Sequence, residues 1–167
     1  ALAALALRNA WGANVVLASR RVEVAQALQA KGVSAFQLPE AEQLPDQARS
    51  YFQQHAPQVI FDTTGYWLSA AVNSVDAFGR VAVIAAPVDG LVSMSALNLY
   101  RRGGSIIGVN SLLYSLEDCA RMLARIGAAF AGGIAVTEDF IERPLSEAVA
   151  AYHQVNAGSS EKIVLIP

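Results

Sequence analysis

The stretch NVVLASRRVEVAQALQAKG, residues 14–32, decides the fold. Its first six residues form a short apolar run rich in β-branched side chains, which predicts a buried strand. Residues 22–30 place Val22, Ala25 and Leu28 at helical spacing, and Gly32 stands where a glycine commonly closes a helix. Between strand and helix lie Ser19, Arg20 and Arg21, so two cations occupy a corner where a helix begins.

The same alternation continues on both sides. Upstream, ALAALALRNA at residues 1–10 predicts a helix closed by Gly12, because alanine and leucine are strong helix formers. A signal peptide is the less favoured reading, since no basic segment leads the run. Downstream, SAFQL predicts a third-rank strand, and residues 45–55 a helix with Pro45 in its first turn and Pro57 beyond its end. QVIFDTTG is a strand and turn, WLSAAVNSVDAF a helix closed by Gly79, and RVAVIAAP a fully apolar strand. Residues 93–102 form a short helix or loop, GSIIGVN a strand, and SLEDCARMLARIGAAF an amphipathic helix with Ser115 as N-cap. IAVTEDFI, the helix PLSEAVAAYHQV and the strand KIVLI complete the chain. These strands are continuous apolar runs, the pattern of a parallel sheet covered on both faces. The expectation is an α/β, Rossmann-type doubly wound parallel sheet, which binds ligands at the carboxyl ends of its strands.

Composition narrows the possibilities. The 167 residues are 54% hydrophobic and 16% charged, enough to bury a core. Twelve basic against fourteen acidic residues leave a formal charge of -2 with no polybasic run, so nucleic acid is not an expected partner. Apolar stretches such as Val81–Val88 are too short to span a bilayer, and no membrane partner is expected. One cysteine, Cys119, excludes an internal disulfide and a zinc–thiolate cluster, and favours a reducing, cytoplasmic setting.

In a dinucleotide-binding unit the glycine loop precedes the ribose-reading residue by about 20 positions. Counting back from residues 18–20 reaches the first residue or just before it, and no G-x-G-x-x-G occurs near this end. The expectation is therefore a sheet whose first strand and glycine loop are missing. In the order 3-2-1-4-5-6 that strand is central, so its absence leaves a gap of roughly 10 Å between strands 2 and 4. Unpaired backbone groups at such a gap are costly, which calls for upstream residues or another segment to fill it.

The run from GANVVLASRR through VIFDTTG, GRVAVIAAP, YRRGGSIIGVNS and PLSEAVAAYHQVNAGSSEKIVLIP resembles the carboxyl-terminal half of medium-chain dehydrogenases/reductases. The nearer likeness is to their zinc-independent quinone oxidoreductase-like branch, and it covers nearly the whole chain. The family's GroES-like catalytic domain and glycine loop have no counterpart in these residues, and any zinc ligands would lie upstream; no metal site is expected here. The resemblance implies residues 1–133 as an NADP-binding domain incomplete at its start. It implies residues 134–167 as a strand–helix–strand that returns to the catalytic domain.

Arg20 is the most informative position. An acid would bond the ribose hydroxyls of NAD, whereas an arginine accommodates the extra phosphate of NADP with a planar fork of donors. In LASRR, Ala18 takes the acid's place, and Ser19 and Arg20 resemble the Ser-Arg pair of NADP-dependent members; Arg21 stacks on adenine or is solvated. The plainer alternative is two surface cations, though the helix dipole disfavours cations at a helix start. Thr63, Thr64 and Gly65 follow the fourth strand and in the family line the cofactor groove; equally, Asp62 and the threonines only bond local backbone. Ala85, Ala86 and Pro87, and Val109, Asn110 and Ser111, end the fifth and sixth strands, and the family uses both segments near the nicotinamide.

Other reactive side chains fit structural roles. His55 ends a helix, His153 lies on the last helix, Cys119 is a small core residue, and Glu117 and Asp118 form an acidic first turn. No hydrolase elbow or Walker loop is present. The expected function is the NADP(H)-binding part of an oxidoreductase reducing a quinone, enone or similar activated double bond, a small-molecule substrate, with no catalytic residue named. The alternative is a nucleotide-binding or interaction module that has lost its catalytic half. GGSIIGVN is the last strand with one edge open, so a homodimer through residues 105–110 is expected, as in the resembling family.

Overall fold

The computed structural model describes Arg8, residues 11–131, residues 140–159 and residues 161–167. The helix expected over residues 1–10 lies outside the described residues except at Arg8, which is helical, as is Trp11. Gly12 then takes a φ of 62°. The chain divides into two units, Ala1–Ile134 and Ala135–Pro167.

In the first unit, strand β1 (Leu17–Ser19) leads into helix α1 (Val22–Ala30), and β2 (Ala35–Gln37) pairs parallel to β1, with Ser19 opposite Gln37. Helix α2 (Leu44–Tyr51) follows a short 3-10 turn. It is shorter than its sequence suggests because Gln53 and Gln54 turn to φ 55° and 73°, and the Gln54 N–H returns to the Arg49 carbonyl. Strand β3 (Val59–Asp62), helix α3 (Leu68–Ser74), strand β4 (Arg80–Val83), helix α4 (Ala96–Arg102) and strand β5 (Ser105–Gly108) come next, and helix α5 (Leu116–Ala131) ends the unit.

Helix α3 also stops early, well before Gly79. The Ser74 hydroxyl donates to the Ala70 carbonyl at 2.6 Å, and the Arg102 guanidinium donates to the carbonyls of Asn73 and Val75. Those bonds satisfy carbonyls that a helix end leaves without partners. Residues 93–102 resolve into α4, capped by the Ser95 hydroxyl accepting the Asn98 N–H at 3.2 Å.

β3, β4 and β5 form one parallel sheet; β1 and β2 form another. Among the described residues, β1 and β3 each pair with a strand on one side only. Ile60, Val81 and Ile106 stand side by side in the register of β3–β5 and face the core, with Leu38, Leu44, Ala48, the α3 residues Ala70, Ala71 and Val72, and Val75 just past the end of α3. Leu38, Val72, Val75 and Val81 are fully buried, each stabilising the fold by roughly 1.5–3 kcal/mol. The next row, Phe61, Ala82 and Ile107, points to the opposite face, where Phe61 is 55% exposed. Cover on both faces is expected from the sequence; the described residues leave Phe61 and Ile107 open to solvent on this one.

In the second unit, β6 (Phe140–Pro144) and β7 (Lys162–Ile166) pair in parallel with Phe140 opposite Lys162. A 3-10 turn at Leu145–Glu147 and helix α6 (Ala148–Asn156) connect them. The segment IAVTEDFI falls outside the described residues up to residue 139, and its last two residues open β6.

Candidate functional site

A parallel register brings the carboxyl ends of neighbouring strands to one level. Asp62, Val83 and Gly108 are mutual partners on β3, β4 and β5, so residues 63–65, 84–87 and 109–111 leave the sheet together. Two further bonds extend the ladder past the strands: Ile84 N–H to the Asp62 carbonyl, and Val109 N–H to the Val83 carbonyl at 2.8 Å.

Between β4 and β5 these segments enclose a concavity of about 580 Å³ lined by Val83, Ile84, Ala85, Ala86, Gly108, Val109, Asn110 and Leu113. Four expected residues therefore meet there: Ala85, Ala86, Val109 and Asn110. Pro87 and Ser111 adjoin the segments without lining the hollow. Gly108, which opens the segment GVNS expected near the nicotinamide, also lines the hollow, whereas Val83, Ile84 and Leu113 were not expected there. The first two of these belong to an apolar run with no polar marker, and Leu113 enters through a 3-10 turn at Ser111–Leu113. That turn is held by the Asn110 side-chain oxygen, which accepts the Leu112 N–H at 3.0 Å. A methyl group at Gly108 would meet nothing within 4 Å, so the floor of the hollow is open to a ligand.

The turn after β3 is rigid for a different reason. The Asp62 carboxylate is 5% exposed, and one of its oxygens accepts the Thr64 and Gly65 N–H groups and the Thr64 hydroxyl, at 2.9–3.0 Å. Its other oxygen accepts the Trp67 N–H at 3.3 Å. Asp62 thus bonds local backbone, as does Thr64, whose hydroxyl also accepts the Tyr66 N–H. Thr63 is exposed. Gly65, at φ 78°, passes so near the next loop that a Cβ there would lie 2.5 Å from the Ala85 carbonyl oxygen and 2.6 Å from Ala86 Cα. The turn of residues 63–65 and the segment 85–86 are therefore in direct backbone contact.

Ser19, Arg20 and Arg21 leave the carboxyl end of β1, in the other sheet, and do not line the hollow. The Ser19 hydroxyl accepts the Arg21 N–H at 3.2 Å. Arg21 is the N-cap of α1 and gives it no side-chain cap. Both arginines are exposed. The ion pairs among the described residues, Arg121 with Glu117 and Asp118 and Arg143 with Glu147, involve neither. Arg20 and Arg21 therefore stand at a helix start, where the dipole disfavours cations.

His55 and His153 are exposed and Cys119 is half-buried. No three His, Cys, Asp or Glu side chains cluster as a metal site among the described residues, so these residues do not supply the donor set that zinc requires. No helix among the described residues is long and apolar enough to cross a membrane.

Comparison with known proteins gives the family and the fold. A family model described as zinc-binding dehydrogenase matches residues 1–128. A zinc-type alcohol dehydrogenase-like protein of Schizosaccharomyces pombe is 31% identical over 114 residues, covering 64% of this chain and 35% of its own. Among solved structures, a mycobacterial protein complexed with NADPH superposes with a TM-score of 0.76 at 17% identity, over 99% of this chain and 54% of that one. A quinone oxidoreductase of Pseudomonas syringae pv. tomato gives a TM-score of 0.73 at 20% identity, over 99% and 52%. The chain thus spans about half the length of these structures, and they share its Rossmann-like fold.

Proposed function

The chain belongs to the zinc-binding dehydrogenase family, and on that premise we propose that it is the cofactor-binding part of an NADPH-dependent oxidoreductase reducing a quinone, an enone or a similar activated double bond. The observation that carries the cofactor choice is the corner at β1, where Arg20 and Arg21 are exposed and outside every ion pair among the described residues. The mycobacterial structure holding NADPH and the quinone oxidoreductase support the same reading.

In this reading Arg20 receives the phosphate on the adenosine ribose through its planar donor fork, and Ser19 and Arg21 complete the corner. Thr63, Thr64 and Gly65 flank the middle of the dinucleotide. Ala85–Pro87 and Val109–Ser111 border the nicotinamide, and the small side chains Ala85 and Ala86 let it approach the main chain. Bound NADPH supplies the hydride. The chain's own residues position it and set the polarity around it, and no side chain of this chain is given a catalytic role.

The acceptor site would lie against further parts of the protein, with residues 134–167 returning to a catalytic domain. β5 is the last strand of its sheet, so its outer edge supports a homodimer through residues 105–110. A single cysteine is in keeping with a cytoplasmic, reducing setting.

The test is titration of the purified protein with NADPH and NADH, alongside Arg20→Asp. The unmodified protein should favour NADPH, and Arg20→Asp should erode that preference about tenfold to a hundredfold, the range for losing a charge-assisted contact and adding a repulsion. Equal affinity of the unmodified protein for the two cofactors would refute the assignment.

A further inference from the structure

We propose that Gln37 is a positioning residue for cofactor choice, holding the main chain from which Arg20 projects; the inference rests on the phosphate-binding reading of that corner. Gln37 is the last residue of β2 and the register partner of Ser19. Its side-chain nitrogen donates to the Arg20 carbonyl at 3.3 Å. A carbonyl can only accept, so the amide must present its NH2 group there.

Two other bonds fix the same corner. The Leu38 N–H donates to the Ser19 carbonyl at 2.8 Å, extending the β1–β2 ladder, and the Ser19 hydroxyl accepts the Arg21 N–H. The Arg21 carbonyl also accepts the Ala25 N–H at 3.3 Å, and among these bonds the tie to Arg20 is the one made by a side chain outside the corner. An arginine side chain loses much rotamer freedom when its guanidinium is held by a ligand. A main chain fixed in advance removes the backbone share of that ordering cost.

Gln37 is exposed, so replacing it opens no cavity and buries no unsatisfied group. Its contribution can therefore be separated from folding. It is also neutral. A carboxylate at position 37 would lose the donor and bring a negative charge to the corner, where it would repel a phosphate and compete for the guanidiniums.

The experiment measures Kd for NADPH and for NADH in the unmodified protein, in Gln37→Met, which keeps the length and removes the donor, and in Gln37→Glu. The ratio of the NADH to the NADPH constant should fall roughly three- to tenfold in Gln37→Met and further in Gln37→Glu, with NADH binding nearly unchanged. A merely structural residue would weaken both cofactors alike and leave the ratio where it was. An unchanged ratio in both variants, in a protein that prefers NADPH, overturns the role of Gln37 alone. A protein with no preference for NADPH overturns both this inference and the reading beneath it.

Discussion

The corner after β1 and the turn after β3 are built on opposite principles. At β1 the corner is exposed, charged and held by single hydrogen bonds from Ser19 and Gln37. At β3 and β4 Asp62 and Gly65 are buried, the Asp62 carboxylate accepts three backbone N–H groups and the Thr64 hydroxyl, and Gly65 is pressed onto Ala85 and Ala86. The first offers charge to a ligand; the second offers shape. A change at the second should therefore act through stability, whereas a change at the first should act through which ligand is preferred.

The sharpest way to break this contrast is Gly65→Ala. The new methyl would sit in a left-handed backbone and against two atoms of the neighbouring main chain, which cannot swing aside as a side chain would. Destabilisation of about 4 kcal/mol is expected in urea unfolding. A variant as stable as the parent would show that the two loops are not rigidly apposed.

Asp62→Ala comes next. It strips an acceptor from three backbone N–H groups, that of buried Gly65 among them, at a cost of about 3 kcal/mol by the same measurement. On the proposed reading, NADPH and NADH binding should weaken equally, because the two cofactors differ only at the ribose phosphate. Arg20→Asp should do the reverse, changing the ratio of the two affinities with the unfolding curve unmoved. If Asp62→Ala changed the ratio and Arg20→Asp changed stability, the division between shape and charge would fail.

The smallest effect lies in the first turn of α5. The Asp118 carboxyl is held below its ordinary range, first by the Ser115 hydroxyl that donates to it and then by the Arg121 guanidinium. A depressed folded-state value means that its contribution is present above the unfolded value and is lost as pH falls through the folded one. The Asp118 side chain is 40% exposed and its ion pair is screened by solvent, so Asp118→Asn should leave stability near neutral pH almost unchanged. The variant and parent should converge further under acid; a large gap at pH 7 would contradict the solvent-screened picture.

The features legible in the sequence follow from local rules. The apolar runs at Val59–Asp62, Arg80–Val83 and Ser105–Gly108 announce strands because a sheet face needs continuous hydrophobic cover. Arg20 and Arg21 stand out because charge is written in the side chain itself. Helix ends were less legible: α2 stops where Gln53 and Gln54 turn to positive φ, and α3 where a distant arginine takes its last carbonyls. Neither residue type forces a stop by itself.

The sequence by itself determined the order of strands and helices and the two-cation corner, since each depends on residues close together along the chain. Only the tertiary structure decided that Gln37 reaches the Arg20 carbonyl, that Gly65 rests on the Ala85–Ala86 backbone, and that Leu113 joins Val83 around one hollow. Those contacts join residues 17 to 30 positions apart. They exist only once parallel pairing has brought separate strand ends to one level, and no local propensity encodes that alignment.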